Sequence, residues 1–476
     1  MNNISQVLNP FLPGWEYIPD AEPHVFGDRV YIYGSHDRFG APIFCVNDYV
    51  CWSAGIDNLA EWKYEGVIYK KNQDPMNRSG HHCLYAPDVT KGPDGRFYLY
   101  YALDFVGRIG VAVCDSPAGQ YEFLGNVRFS DGHEWGSKSR EPFPFDPGVL
   151  TDDDGRVYLY SGFAKKVPFF MTGFRSLTNE GGVVIELEQD MCTIKNGPEL
   201  LFSIKGRKGA FKNHAFFEAS SMRKVDSKYC FVYSSEHNHE LCYAMSDHSK
   251  GLFEFGGILV DIGDLYLDGN VNERRATNYL GNTHGGLLKI GNDWYIFYHR
   301  QTNQNSYCRQ ACAEKLEYHK LYGFKQAEGT YEARIACNLW SKKGTGRYDK
   351  FFTRLLLHDH PYFTQDSPDR ECDGDQYIKN MRAGSVAGFK YFKGNHSETI
   401  SIEVNGHAKG RILISLDPGI KDVVSEIEVN GKGKGWKNYS DRISLPEGTY
   451  ALYFSYQGKG CIGFRSFTLM ETEQLQ

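Results

Sequence analysis

Long apolar runs are missing from this chain, and so is any excess of positive charge. Nothing approaches the roughly 20 consecutive apolar residues that a bilayer-spanning helix needs. Residues Met1 to Tyr17 hold neither a basic leader segment nor an apolar core, so no signal peptide and a cytoplasmic location are expected. The net charge is −6. Nothing in that balance attracts a polyanion, which argues against nucleic acid and anionic membrane as partners. The twelve cysteines lack a pairing pattern: Cys308 and Cys312 are the closest two and have no matching second pair. Structural zinc is therefore not expected, and the thiols read as reduced and mostly buried. Helical periodicity is nearly absent as well, interrupted by 18 Pro and 51 Gly.

Aromatics are abundant, with 32 Tyr and 31 Phe. They stabilise sheet faces, and they also stack on apolar ring faces of ligands. Many fall into one recurring pattern, a polar turn followed by a short aromatic and β-branched run. Gly27-Asp28 precedes Val30–Tyr33, and Pro93-Asp94-Gly95 precedes Phe97–Tyr101. Asp153-Asp154-Gly155 precedes Val157–Tyr160, Asp226-Ser227 precedes Tyr229–Tyr233, and Asn292-Asp293 precedes Trp294–Tyr298. Asp-Gly and its relatives favour tight hairpins, and the flanking residues are strong strand formers. Five copies at intervals of about 60–75 residues suggest propeller blades, with innermost strands converging on a channel and the hairpin turns near the outer or lower part. Unrelated hairpins in a sandwich would give similar turn spacing.

The pattern stops after Glu314. Ser341 to Arg347 is Lys- and Gly-rich and reads as an exposed connector. From about Tyr377 a second series of strands begins: Gly388–Phe392, Thr399–Val404, Arg411–Leu416, Ser425–Val429 and Tyr450–Phe454. Asn-Gly and Pro-Glu-Gly turns separate them, as in a β-sandwich of about 100 residues. The division expected is residues 1–335 as a propeller, 336–370 as linker and 371–476 as a smaller β-sandwich, all-β throughout.

Three acids stand apart from the solvated majority. Asp20 lies in Tyr17–Phe26, between two prolines just before the first aromatic strand; it is either a functional acid or a strand-initiating one. Asp146 is a lone acid in the apolar, proline-stiffened Pro142–Leu150. Burial there disfavours its charge unless it is paired, as functional acids often are. Glu218 lies in His214–Met222, flanked by Phe216 and Phe217, whose desolvation can raise a carboxyl pKa as a proton donor requires. A buried, hydrogen-bonded Glu would look the same. Asp152 to Asp154, by contrast, belong to the hairpin turn.

Several of these segments together resemble glycoside hydrolase family 43. Asn9–Gly14, Asp20, His24-Val25-Phe26 and Tyr31–Asp37 are similar to the family's opening; Ala86–Val89 precedes the second aromatic strand; Phe145-Asp146-Pro147 is followed by Asp153-Asp154-Gly155. Phe217–Ser220 resembles the general-acid motif, and Thr283–Gly286 before Trp294-Tyr295 the last-blade motif. The match runs from about residue 9 to 337, in order and at the family's spacing.

The resemblance implies a five-bladed propeller and an inverting hydrolysis of glycosidic bonds. Asp20 would be the general base, Glu218 the general acid, and Asp146 the residue that tunes and orients Glu218. An inverting pair is held roughly 6.5–9.5 Å apart to admit water. The family's first site commonly reads Asp-Pro, whereas Ala21 follows Asp20 here, which leaves Glu22 as a rival base. His284 matches a histidine that in parts of the family faces a hydrated cation, often Ca2+, on the channel axis; its other reading is a hydrogen-bonded histidine near the base. Arg309 matches a residue that contacts sugar hydroxyls, and otherwise reads as an ordinary surface salt bridge. Cys372–Ile378 and Gly384–Phe392 resemble an accessory carbohydrate-binding-module-like sandwich, in which Trp436 and Tyr439 are either a sugar platform or packing. The expected enzyme is an exo-acting β-xylosidase or α-L-arabinofuranosidase on (arabino)xylan or arabinan oligosaccharides, without an organic cofactor. The alternatives are a non-catalytic carbohydrate-binding propeller and a family member acting on another glycan such as a galactan.

Overall fold

The structure is a computed structural model that describes residues 9–203, 209–237, 239–273, 276, 280–301, 305–329, 336–338, 341–344, 362–365, 376–417 and 419–471. Five sheets follow one another along the chain. The first is β1 (Glu22–Phe26), β2 (Arg29–Tyr33), β3 (Tyr49–Gly55) and β4 (Asn58–Tyr69). The second is β5 (Asp88–Lys91), β6 (Phe97–Ala102), β7 (Ile109–Cys114) and β8 (Glu122–Asn126). The third is β9 (Gly148–Thr151), β10 (Val157–Ser161), β11 (Gly181–Leu187) and β12 (Ile194–Ser203). The fourth is β13 (Phe216–Val225), β14 (Lys228–Ser235), β15 (Leu241–Ser246) and β16 (Glu254–Asp261), and the last is β17 (Leu287–Ile290), β18 (Asp293–Arg300) and β19 (Gln310–Leu316). These strands form an antiparallel meander in each sheet, and Ala327–Glu328 adds a parallel edge to β16 of the fourth. The first strands touch in the cyclic order β1, β5, β9, β13, β17 and back to β1, which makes the five sheets the blades of a propeller.

The recurring aromatic run is the second strand of every blade. Its residues alternate between two inter-blade cores. Along β6, Leu99 and Tyr101 enter the core shared with the first blade, and Tyr98 and Tyr100 the core shared with the third. In β10, Val157 and Leu159 face back while Tyr158 and Tyr160 face forward; β14 and β18 repeat the arrangement. A strand with both faces covered needs no polar side, so these runs are apolar throughout. Full burial of each such side chain contributes about 1.5–3 kcal/mol. The turn before each run joins the innermost strand to the second, with Gly27, Gly95 and Gly155 at positive φ.

Closure of the ring joins the two ends of the propeller sequence. Asn9 accepts a hydrogen bond from the Ala313 amide at 2.6 Å and donates to its carbonyl at 2.9 Å, and the Phe11 amide donates to Ala311 O at 3.3 Å. The segment before β1 thereby runs beside β19 as the outer edge of the fifth blade. Phe11 and Leu12 fill the core between the fifth and first blades.

The C-terminal residues form a separate antiparallel assembly. Val386–Ser415 pairs with Val423–Gly460 and with Ile462–Glu471. Ile400, Ile402, Ile412, Ile427, Leu452, Phe454 and Phe464 share its core, as a β-sandwich requires. Within 336–370, Ser341–Gly344 and Tyr362–Gln365 pair with Ile462–Glu471 and Gln376–Met381, so these pieces are strands of this sheet and not bare connector; residues 345–361 lie outside the described residues, as do 372–375 of the Cys372–Ile378 motif. Trp436 packs edge-on against Tyr377 at 5.1 Å and under the Arg465 guanidinium at 5.2 Å, and Tyr439 packs on the core. Both rings are engaged in packing. Among the described residues, no helix is long and apolar enough to cross a membrane.

Candidate active site

The three candidate acids sit at one end of the channel. Asp20 and Asp146 close the loops that enter β1 and β9, and Glu218 lies at the start of β13. The backbone is unusual at each. Asp20 has φ +59°, Asp146 φ +44°, and Ala219, next to Glu218, φ +69°. Left-handed non-glycine residues cluster where the surrounding structure over-determines a side-chain direction. Glu218 also lies on a β-bulge: pairing with β14 slips on both sides of it. A bulge re-aims a side chain that a regular strand would point elsewhere. Gly148 packs against this bulge, where a Cβ would meet Ser220 O at 2.3 Å. That close approach lets the Ala219 amide donate to Asp146 Oδ2 at 3.3 Å.

Asp20 is held by cations. Its Oδ1 accepts from Arg309 Nη1 at 3.0 Å. Arg309 also clamps Asp37 through Nε at 2.8 Å and Nη2 at 3.1 Å, and its guanidinium lies 4.7 Å from the Phe44 ring centroid. His299 lies behind: its Nδ1 accepts the Asp20 amide at 3.0 Å, and its Nε2 donates to Asn282 O at 2.8 Å. Those two bonds fix the neutral tautomer with the proton on Nε2, so Arg309 is the charge that compensates Asp20. Burial alone would raise the Asp20 pKa, yet Arg309, together with the flanking His299 and His284, outweighs it and holds the carboxyl well below its ordinary range. For Arg309 the surface-salt-bridge reading gives way to a fully buried pair, with N–H groups committed to Asp20, Asp37 and Cys45.

Asp146 and Glu218 have the opposite environment. Phe217 and Phe145, their neighbours in sequence, pack on one ring, Phe163, at 5.2 and 4.9 Å. Burial pushes both carboxyls up, Glu218 well above the usual range; the Asp146 charge raises Glu218 further, and the Asp20 charge adds to the rise of Asp146 against the opposing pull of His284.

His284 stands between the groups. Its Nδ1 is 3.6 Å from Asp146 Oδ2 and 4.0 Å from Asp20 Oδ1, and its Nε2 is 3.7 Å from Glu22 Oε1. Burial opposes its charge, but Glu22, Asp146 and Asp20 prevail and raise its pKa to about 9. Glu22, the rival base, is fully buried and ion-paired to Arg223 at 2.6 Å, with Ser221 Oγ donating to it at 2.9 Å. Asp88 of the Ala86–Val89 motif ties three blades together: it holds His24 of β1 at 2.6 Å and accepts the Val149 amide of β9 at 2.7 Å.

The structure therefore brings Asp20, Asp146, Glu218, His284 and Arg309 into one site. Sequence reading gave no role to Asp37, His299 or Arg223. A faint signal exists for the last two, polar side chains that interrupt otherwise buried strands, in Trp294–Tyr298 followed by His299 and in Met222-Arg223.

One carboxyl held in its charged form and two pushed towards the protonated form thus converge on a propeller channel. The sequence pattern of Glycosyl hydrolases family 43 matches residues 7–320. A xylosidase/arabinosidase from Thermoclostridium stercorarium is 44% identical, over 98% of this chain and 99% of its own length. Among solved structures, a family 43 β-xylosidase/α-arabinofuranosidase from a compost microbial metagenome, in complex with xylotriose and calcium-free, is similar with TM-score 0.53 and 24% identity, covering 69% of this chain and 99% of that one. An arabinoxylan arabinofuranohydrolase from Bacillus subtilis in complex with cellotetraose is similar with TM-score 0.52 and 20% identity, covering 99% of this chain and 98% of that one. The chain belongs to glycosyl hydrolases family 43.

Proposed function

We propose that this glycoside hydrolase removes terminal xylose or arabinofuranose residues from (arabino)xylan or arabinan oligosaccharides with inversion, using Asp20 as base and Glu218 as acid. One observation carries the mechanism: two carboxyls of one channel are pushed in opposite directions, Asp20 towards the charged form and Glu218 towards the protonated form. Glycoside hydrolysis needs one of each. Glu218 gives its proton to the glycosidic oxygen as the C1–O bond breaks. Asp20 takes a proton from a water that forms the new C1–O bond on the opposite face. Asp146 shares burial with Glu218 and keeps the pair from losing both protons. Arg309 keeps Asp20 ionised and in place, which sets its part beside or before any contact with sugar hydroxyls. The relatives named xylosidase/arabinosidase support the two pentoses as substrates.

A divalent cation, calcium first among them, fits the channel floor. Glu22 Oε1 and His284 Nε2 are buried, lie 3.7 Å apart and make no hydrogen bond among the described residues. They offer one oxygen and, once His284 gives up the proton that its raised pKa holds, one nitrogen, so the remaining ligands would be water. Such an ion would supply positive charge beneath the acids. Glu22 and His284 orient that floor through Arg223, Ser221, Asp20 and Asp146.

The test is turnover of p-nitrophenyl β-D-xylopyranoside, p-nitrophenyl α-L-arabinofuranoside and xylobiose by the native enzyme and by Glu218→Gln and Asp20→Asn, with the anomer released read by NMR. Each variant is expected to lose about 10²–10⁴-fold on xylobiose, with Glu218→Gln losing less on the aryl substrates, whose leaving group needs little protonation. Full activity in either variant, or retained configuration in the product, overturns the mechanism.

A further inference from the structure

A second group of titratable side chains meets in the fourth blade, on the third strand rather than the channel-lining first. It lies at the end of the blade that carries Glu218, because β13 begins, β14 ends and β15 begins there. His214, in the segment entering β13, has Nδ1 2.6 Å from Glu240 Oε1, and the Cys242 thiol donates to the same oxygen at 3.8 Å. The ligand atoms of these three residues all lie within 4.8 Å of one another. Glu240 and Cys242 are fully buried, and the His214 ring is largely so. Phe255 stacks on the imidazole at 5.0 Å, and the Tyr233 hydroxyl donates to His214 O at 2.6 Å, which holds the ring in place.

Asp261 joins the group from the neighbouring strand. Leu241 pairs with Val260, and both point into the core shared with the fifth blade, so the residues beside them, Glu240 and Asp261, turn together to the opposite face. Cys242 points to that face as well, into the core shared with the third blade. Asp261 is fully buried. Its Oδ1 accepts the Gly263 and Leu265 amides at 2.8 and 3.0 Å, whereas Oδ2 has no hydrogen-bond partner among the described residues. A buried oxygen left so calls for an ion or a water. Burial raises the Asp261 pKa to about 7 despite those two amides, and the Glu240 charge adds to it. Burial pushes the Cys242 thiol up, with Glu240 and Asp261 adding. Each of these acids opposes the charge of the others, and a divalent cation among them reverses that for all three. A thiol and an imidazole beside carboxylates suit zinc better than calcium or magnesium. Tetrahedral zinc sets neighbouring ligand atoms roughly 3.3–3.8 Å apart, given its bond lengths. The spacing of Sγ and Oε1 already fits, and that of Nδ1 and Oε1 opens when the metal replaces the proton between them.

We propose that His214 Nδ1, Glu240 and the Cys242 thiolate hold a zinc ion, with a water held by Asp261 Oδ2 in the fourth position. Binding expels the thiol proton. The ion pins the segment that enters β13 just ahead of Glu218, and it is separate from the channel floor of Glu22 and His284. Paired cysteines, the usual mark of zinc in a sequence, are not needed here: one cysteine contributes, and His214 and Glu240 stand 26 positions apart. The site does not depend on the pentosidase reading, and its test measures metal, not turnover. The full-length protein, stripped with a chelator, is titrated with zinc and with cobalt(II). Zinc is expected to bind at micromolar concentration or below, and cobalt to give a thiolate-to-metal charge-transfer band, which Glu22 and His284 cannot produce. Cys242→Ala should abolish that band and weaken zinc binding by more than the roughly 10–100-fold that loss of an outer-shell partner costs, and Asp261→Asn should weaken it by about tenfold. X-ray absorption at the zinc edge of the native protein should show one sulfur among nitrogen and oxygen ligands, a result that stands even if Cys242→Ala does not fold. A ligand shell without sulfur, a charge-transfer band that survives in Cys242→Ala, or zinc bound only at millimolar concentration overturns the site.

Discussion

Asp20 and Glu218 line one channel, in the same fold and near the same histidine, yet the halves of the site they occupy are built from different materials. On the side of the first and fifth blades, Asp20 meets Arg309, which meets Asp37, with Phe44 4.7 Å from the guanidinium. On the side of the third and fourth blades, Glu218 and Asp146 meet Phe145, Phe163 and Phe217. Burial pushes the pKa upward in both halves. What differs is the partner that shares it. A guanidinium reverses the effect of burial, and a second carboxylate adds to it. Which carboxyl is charged and which holds its proton is thus decided by what each blade places behind it.

The sharpest way to break this comparison is to remove the cation. Arg309→Met leaves Asp20 and Asp37 buried without their common partner, a change worth about 3–5 kcal/mol of stability, readable by urea denaturation. The acid limb of the pH–rate profile should move up as well, because Asp20 without Arg309 takes a proton at a higher pH. Arg309→Lys keeps a charge but cannot hold both carboxylates in a fork; if the Met variant does not fold, it should show the same shift in weaker form. An unmoved acid limb in Arg309→Lys, with reduced stability, would make Arg309 a structural residue only.

A second test exploits stability, and its sign differs between the halves. Asp20 has a depressed pKa, so it contributes stability above its ordinary value of 3.8 that is lost as the pH falls below that value. Glu218 has a raised pKa: below its ordinary value of 4.5 both states hold the proton, and above it the unfolded chain releases the proton first, which erodes stability. At pH 7, Asp20→Asn should therefore destabilise by about 2 kcal/mol through the weakened charged hydrogen bond. Glu218→Gln should stabilise by about 1 kcal/mol, as relief of a strained functional site often does. At pH 4 the Glu218→Gln gain should vanish. Thermal unfolding at the two pH values measures both, and equal signs at pH 7 would dissolve the contrast.

Much of this contrast was legible beforehand, for identifiable reasons. The second strands announce themselves because both of their faces are covered, so Phe97–Tyr101 and Trp294–Tyr298 read as unbroken apolar runs after hairpin turns. Asp146 and Glu218 stand out as single acids in such surroundings. Hidden were the partners that ring closure supplies: Arg309 and Asp37 are 272 positions apart, and Asn9 reaches Glu314 across 305. No local pattern encodes such a pair. Trp436, which the sequence left open between a sugar platform and packing, packs against Tyr377 and under Arg465, partners that likewise lie apart along the chain.

The smallest expected effect tests the apolar half alone. Phe163 is half-buried and touches Phe105, Phe143, Phe145 and Phe217, but none of its atoms can exchange a proton with substrate. If desolvation by these rings is what holds the proton on Glu218, then Phe163→Ala admits water behind the acid and lowers its pKa. Activity on xylobiose should then decline at a lower pH on the basic side, while the acid limb, governed by Asp20 and Arg309, stays where it was. The rate at the optimum should change less than tenfold, since the catalytic carboxylates remain. Phe163→Leu, which keeps most of the apolar bulk, should restore the native basic limb. A shift of both limbs together would mean that Phe163 supports the channel as a whole; a shift of the basic limb alone would show that the protonation of Glu218 is set by the rings behind it.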